Sequence, residues 1–360
     1  MSRKASGEHP LALWRPSLGE GEERACERVL RSGCLTAGPE VESFERELCV
    51  ATGFRHAIAV SSGSAALLLA LYTSGVGPGD EVIVPSYTFV ATANAVALRG
   101  ASVVPADVEQ DSYNICPRSA GALLSERTVL IVPVHQFGRL ANTAALRALA
   151  GRAGLLEDAA CALGAVDGSV AQTACFSFHP RKVITTGEGG MIATAKAGLA
   201  ERLRRLRAHG LKDGLAQEAG YNFRMSEQAA AMGRVQLRKL PELIAKRRRV
   251  AEWYASGLSG IDWLILPEID GKTVFQSYVV RLRAEAPLSR ERLLSRLTSR
   301  GIGCQAGVVP VHLHPAYRDS ARCELPVAEM LGRSSFFLPM HTQLTKADID
   351  RVCRALRELS

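Results

Sequence analysis

Lys182 closes the run Phe176-Ser177-Phe178-His179-Pro180-Arg181-Lys182 and is followed at once by Thr185-Thr186-Gly187-Glu188-Gly189-Gly190-Met191. An apolar, strand-like stretch ahead of it and a glycine turn behind it predict a partly buried amine. Burial disfavours the ammonium and favours the nucleophilic amine. A second place of interest is Val60-Ser61-Ser62-Gly63-Ser64-Ala65-Ala66, where small residues pass from strand to helix and free backbone N–H groups can point at an anion. The third is Glu157-Asp158-Ala159-Ala160, which sets a carboxylate at a strand end, where it can hold a protonated ring nitrogen. Taken singly, each has a plain reading: a strand-end lysine, an ordinary helix start and a loop cap. Taken in order, they are the three parts that pyridoxal phosphate chemistry requires: a Schiff-base lysine, a phosphate cradle and a carboxylate that lets the ring act as an electron sink.

These parts need a scaffold, and the chain is large enough to build one. With 360 residues, 47% hydrophobic and 22% charged, it can bury a sizeable core and is expected to form two domains. The nine cysteines are scattered, with no CxxC pair and no metal-like cluster, which points to a reducing cytoplasm and away from a disulfide framework or a zinc site. The N-terminal segment Met1 to Pro10 lacks the apolar core of a secretion signal, and no later run is long enough to span a membrane. The net charge of +8 is concentrated in Arg202–Arg207 and Lys246–Arg249. Without stacking aromatics or a recognition motif, these runs read as solvated helix faces and not as a nucleic-acid surface. The charge is better matched to small anionic substrates such as nucleotide diphosphates.

Apolar strand-like runs alternate with helical stretches through the first two thirds of the chain. Strands are expected at 56–60, 80–85, 102–105, 128–132, 154–157 and 174–178, and helices at 64–72, 91–98 and 143–150. This alternation predicts a parallel-rich sheet covered on both faces, with ligands at the carboxyl ends of its strands. A long helix is expected to start at Ser226 and to run toward Tyr254, linking a large domain (1–245) to a smaller α+β domain (246–360) with a strand at 274–282 and helices at 290–300 and 346–359.

Seven segments together resemble the DegT/DnrJ/StrS sugar aminotransferases: Leu35-Thr36-Ala37-Gly38-Pro39, Ser61 to Leu67, Gly77 to Phe89, Glu157 to Ala160, the Lys182 segment, Gly220 to Met225 and Pro310 to Pro315. The resemblance runs from about Trp14 to the C-terminus. It implies the type I fold of pyridoxal phosphate enzymes, with a mostly parallel seven-stranded sheet, and a homodimer with active sites at the subunit interface. Position by position, Lys182 matches the Schiff-base lysine and Asp158 the partner of the pyridine nitrogen. Ser62, Gly63, Ser64 and Ser177 match the phosphate pocket, and Phe89 matches the ring that stacks on the cofactor. Asn222 matches a phosphate contact supplied to the neighbouring subunit. His312, His314 and Tyr317 are the candidate substrate contacts.

Two departures stand out. Cys161 occupies a position that is often glutamine or histidine and lies near the cofactor's phenolic oxygen, where a thiol is the weaker hydrogen-bonding group. Ile302 to Pro310 lacks the His-Tyr pair many members carry before the proline, so the identity of the sugar stays open. The implied activity is transfer of an amino group from L-glutamate to a keto-sugar, foremost a nucleotide-linked 4-keto or 3-keto 6-deoxy sugar. The alternatives are amination of a cyclitol ketone with glutamine or glutamate, and a regulatory homologue without turnover.

Overall fold

The computed structural model describes residues 9–168 and 170–359. Residues 1–8, on which most of the reading of the N-terminus rests, lie outside them. Two helices, α1 (Glu20–Ser32) and α2 (Pro39–Thr52), precede the sheet, and each stops at a glycine in the left-handed region, Gly33 (φ 70°) and Gly53 (φ 75°). Strand β1 (His56–Val60) then leads into α3 (Gly63–Thr73), β2 (Glu81–Pro85), α4 (Ala91–Ala97), β3 (Ser102–Ala106), α5 (Pro117–Ala122), β4 (Thr128–Ile131) and α6 (Thr143–Leu149). The strands β2 and β4 are almost wholly buried, as expected for apolar runs covered by helices on both faces.

The next extended segment comes in two short pieces, β5 (Gly154–Leu155) and β6 (Glu157–Asp158), followed by β7 (Thr173–Ser177), β8 (Gly190–Thr194) and α7 (Ala197–Leu206). Strands β3, β2, β4 and β5 lie side by side in parallel, and β6 pairs in parallel with β7. Strand β8 is antiparallel to both β7 and β1. Counting β5 and β6 as one strand, the sheet has the seven strands anticipated, six in one direction and β8 reversed. The basic run of α7 is engaged within the chain. Arg202 and Arg205 pair with Glu218, and Arg204 and Arg207 with Glu45.

After a small hairpin of β9 (Leu211–Lys212) and β10 (Leu215–Ala216), the 32-residue helix α8 (Glu227–Leu258) begins where the sequence placed it. The Ser226 hydroxyl accepts the Ala229 N–H at 3.3 Å. The buried Glu227 carboxylate accepts the N–H groups of Gly38, Glu40 and Val41 at 2.7–3.2 Å, fixing the start of α2. Beyond α8, an antiparallel sheet of β11 (Leu264–Ile265), β12 (Tyr278–Leu282), β13 (Gln305–Ala306) and β14 (Ser335–Leu338) is joined by α9 (Arg290–Ser299), α10 (Pro326–Ser334) and α11 (Lys346–Arg357). The segment 274–277, expected as strand, is not one. Phe275 has φ 48°, and the N–H groups of Val274 and Gln276 donate to Gly138 O and Phe137 O of the large domain. The N-terminal arm lies against the C-terminal part of the chain: Leu11 exchanges hydrogen bonds with Gly301 and Gly303, and Met340 N–H donates to Leu13 O. Among the described residues no helix is long and apolar enough to cross a membrane.

Candidate active site

Helix α3 starts at the carboxyl end of β1. The Ser62 hydroxyl and carbonyl take the N–H groups of Ala65 (3.1 Å) and Ala66 (3.1 Å), so the N–H groups of Gly63 and Ser64 have no acceptor among the described residues. Two unsatisfied donors at a helix N-terminus form an anion site. Its floor is tight. A Cβ at Gly63 would lie 2.7 Å from Ser177 Cβ, and one at Gly190 would lie 2.3 Å from Ser62 O. Three segments distant in sequence thus converge at a spacing that only glycine permits, and Ser177, at the end of β7, brings a hydroxyl to the same cradle.

Asp158 ends β6 and is 4% exposed. Its Oδ2 accepts the Thr92 hydroxyl at 2.8 Å and its Oδ1 the Ala160 N–H at 3.0 Å. A buried carboxylate held this way presents an oxygen in a fixed direction to a partner. Its charge, together with complete burial, pushes the neighbouring Cys175 thiol well above its ordinary value, burial being the larger cause. Next to Asp158, the His135 N–H donates to Asp158 O. Its ring Nδ1 accepts the Ala141 N–H, leaving Nε2 to donate to Glu157 at 3.0 Å. Phe89 has 71% of its surface exposed, and its carbonyl accepts the Thr92 N–H at 3.4 Å. An exposed phenyl ring tied to a buried carboxylate suits a flat heteroaromatic ligand.

Lys182 lies on the turn after β7, its N–H bonded to His179 O at 2.8 Å. Its half-buried Nζ donates to Cys161 Sγ at 3.2 Å. Asp158 pairs with Cys175 of β7, Ser177 ends that strand beside Gly63, and Lys182 returns to Cys161, three residues past Asp158; an amine, a buried carboxylate and an anion cradle are a donor set that fits pyridoxal 5'-phosphate. Burial holds His179 below the usual imidazole value.

The remaining candidates fall elsewhere. Asn222 is exposed, and its neighbour Phe223 accepts the Ser61 N–H at 2.8 Å, so Asn222 lies on a segment bonded beside the cradle of its own chain. His312 is buried, with Nδ1 2.7 Å from Ser86 Oγ and Nε2 3.5 Å from Glu329. Tyr317 is buried too, its hydroxyl donating to Asn94 Oδ1 at 2.5 Å, whereas His314 is half-buried with no side-chain bond to the cradle or the lysine among the described residues. The segment ahead of Pro310 is tightly packed at Gly307, where a Cβ would lie 1.9 Å from Ser335 Oγ and 2.7 Å from the Tyr87 hydroxyl, which are bonded to each other at 2.5 Å.

Sequence reasoning passed over Thr92 and His135, which carry no motif of their own, and a cluster beside Lys182. There Arg181 lies over the Trp14 ring at 5.6 Å, donates to Gln305 at 3.1 Å, and receives the Gln276 amide on its carbonyl at 2.8 Å. A cation directly before the lysine was the available signal.

Residues 16–357 match the DegT/DnrJ/EryC1/StrS aminotransferase family. The chain is 38% identical over 337 residues to a GDP-perosamine synthase of Caulobacter vibrioides, covering 90% of this chain and 91% of the relative. Among solved structures it is similar to S. venezuelae DesV, with 38% identity, a TM-score of 0.88 and coverage of 94% and 93%. It is also similar to DesI, solved in the presence of its TDP-sugar product, with 32% identity, a TM-score of 0.91 and coverage of 98% and 93%.

Proposed function

The chain belongs to the DegT/DnrJ/EryC1/StrS aminotransferase family, and we propose that this pyridoxal phosphate-dependent aminotransferase moves an amino group from L-glutamate to a nucleotide-linked keto-sugar. The observation that supports the reading is that Asp158 and Ser177 end neighbouring paired strands, with Ser177 against Gly63 and Lys182 in contact with Cys161 just past Asp158. When bound, the cofactor supplies an aldehyde that takes up the amino group and a ring that stores the electron pair left by proton removal. The chain's own residues do the rest. Gly63 and Ser64 N–H groups and the Ser177 hydroxyl would hold the phosphate, Asp158 would hold the ring nitrogen protonated, and Phe89 would cover the ring. Lys182 Nζ first tethers the cofactor, then takes the α-proton of the donor and returns it, and the second half-reaction runs through the same amine.

One relative bears GDP in its name and another was solved with its TDP-sugar product, which makes sugars on these two nucleotides the first acceptors to try. The active unit in this reading is a homodimer, with Asn222 of each protomer completing the other's phosphate pocket. Its exposed side chain and the exposed Leu211 and Leu215 of the nearby hairpin support an interface there. All nine cysteines are free, which fits a cytoplasmic enzyme. The test is the visible spectrum of the purified holoenzyme before and after L-glutamate without sugar. Loss of the yellow band, restored by one nucleotide keto-sugar, is expected; a protein that takes up no pyridoxal phosphate, or whose band ignores every amino donor, would sink the reading.

A further inference from the structure

We propose that Cys161 and Lys182 form a reversible oxidative lock, in which a hydroperoxide drives a sulfur–nitrogen bond between them and takes the lysine out of service. Lys182 Nζ and Cys161 Sγ are already in contact at 3.2 Å, and both side chains are half-buried, open to a small oxidant. Their backbones are pinned on neighbouring turns. Ala159 N–H is bonded to Cys175 O and Ala162 N–H to Ala159 O on one side, and Lys182 N–H to His179 O on the other. Juxtaposition fixed by the fold makes the joining step intramolecular. Among the described residues the other eight cysteines have no amine in hydrogen-bond contact. Cys26 meets the Gln228 carbonyl, Cys304 meets Thr298 and the Leu294 carbonyl, and Cys175 and Cys353 are buried.

The chemistry balances with one equivalent of peroxide. Sulfur gives two electrons to the O–O bond, which breaks to leave a Cys161 sulfenic acid and one water. The Lys182 lone pair then attacks sulfur, the S–O bond breaks, and the departing hydroxide takes a proton from nitrogen and leaves as a second water. The pair has lost two hydrogens in all. An external thiol reverses the step by attacking sulfur and releasing the amine, and a second thiol returns the mixed disulfide to the Cys161 thiol. A consequence follows for the working enzyme, and this part rests on the aminotransferase reading. While Lys182 is bound to the cofactor the lock cannot close, whereas once the donor has been consumed and the amine is free, it can. Oxidation would then halt the enzyme between donor and acceptor.

The experiment treats the holoenzyme with hydrogen peroxide, with and without prior L-glutamate, blocks free thiols, and looks by peptide mass spectrometry for a Cys161–Lys182 link lighter by two hydrogens than the separate peptides. The link is expected in the glutamate-treated sample, far less without glutamate, absent in Cys161→Ser, and undone by dithiothreitol with return of the reduced masses. Cys161 carried on to sulfinic acid with Lys182 unmodified overturns the lock, and a link that forms equally without glutamate overturns its control by the cofactor. The visible band reports the aminotransferase reading separately. If glutamate leaves it unchanged, that reading fails, and the same mass measurement on protein stripped of cofactor decides the lock.

Discussion

Thr92 donates its hydroxyl to Asp158 Oδ2 at 2.8 Å, and its backbone N–H to the carbonyl of Phe89. One threonine on α4 therefore holds the Asp158 carboxylate through its side chain and the Phe89 backbone through its own. Thr92→Val should lower kcat/KM by about tenfold or somewhat more, the worth of one hydrogen bond to a charged group, and Thr92→Ser should recover most of it. Asp158→Asn should cost roughly 10³-fold, more than the loss of any single phosphate contact. Steady-state kinetics on the four proteins rank the effects, and a Thr92→Val enzyme with unchanged kinetics would show that Asp158 needs no such support.

Lys182→Ala removes tether and proton carrier together. The glutamate half-reaction should slow by about 10³-fold or more, with pyridoxal phosphate still bound through the cradle. Rapid mixing with L-glutamate, followed by absorbance, measures it.

Gly63→Ala forces a methyl group to within 2.7 Å of Ser177 Cβ. The cost of overpacking, about 1–3 kcal/mol, should appear as weaker cofactor affinity in a pyridoxal phosphate titration. The double variant with Ser177→Gly should recover part of it, because the methyl then has room although the hydroxyl is lost.

Glu81, at the start of β2, is buried and pairs with Arg322 at 2.7 Å, Arg127 at 2.6 Å and the Ser125 hydroxyl at 2.8 Å. The Arg322 hydrogen bond, helped by Ser125 and Arg127, overcomes burial and holds the carboxyl at about 2. Its folded value lies below the unfolded one, so the stabilisation is complete above an ordinary carboxyl value of about 4.3 and is lost as pH falls toward 2. Arg322 and Arg127 are partly exposed, and solvent screening leaves about 1–2 kcal/mol. Thermal melts should show that loss across the window, and Glu81→Gln should flatten this part of the profile while lowering Tm at neutral pH.

A nucleoside diphosphate should compete with the acceptor and leave the glutamate half-reaction untouched. GDP and TDP added to each half-reaction separately test this, and indifference in both would return the cyclitol alternative.

Much of this was legible because the strands that carry the site are buried on both faces. The apolar runs at His56–Val60, Glu81–Pro85 and Ser102–Ala106 leave little room for another reading, and Ser226 marks the start of α8 by its hydroxyl. Strand β8 escaped notice although all five residues are buried. It follows a glycine turn directly and runs antiparallel, so no crossover helix announces it. Helix α1 was passed over because only Ala25 and Val29 anchor its apolar side. Val274–Gln276 has β-forming side chains, yet Phe275 sits in the left-handed region and its neighbours bond to Phe137 and Gly138. That preference belongs to the tertiary contact and leaves no local trace. Thr92 is one small residue among many in α4, and only the fold reveals its neighbour.

The five residues from Gly154 to Asp158 pair with β4 through their first half and with β7 through their second, and Asp158 itself touches both sides, bridging to Val134 and pairing with Cys175. The two halves of the central sheet are thus stitched together by the stretch that ends in Asp158. A ligand held by both Asp158 and the α3 terminus would act as a rivet over this seam. Its departure should loosen the protein along this line before anywhere else, so that amide exchange at Leu156 to Ala159 becomes a gauge of cofactor loading.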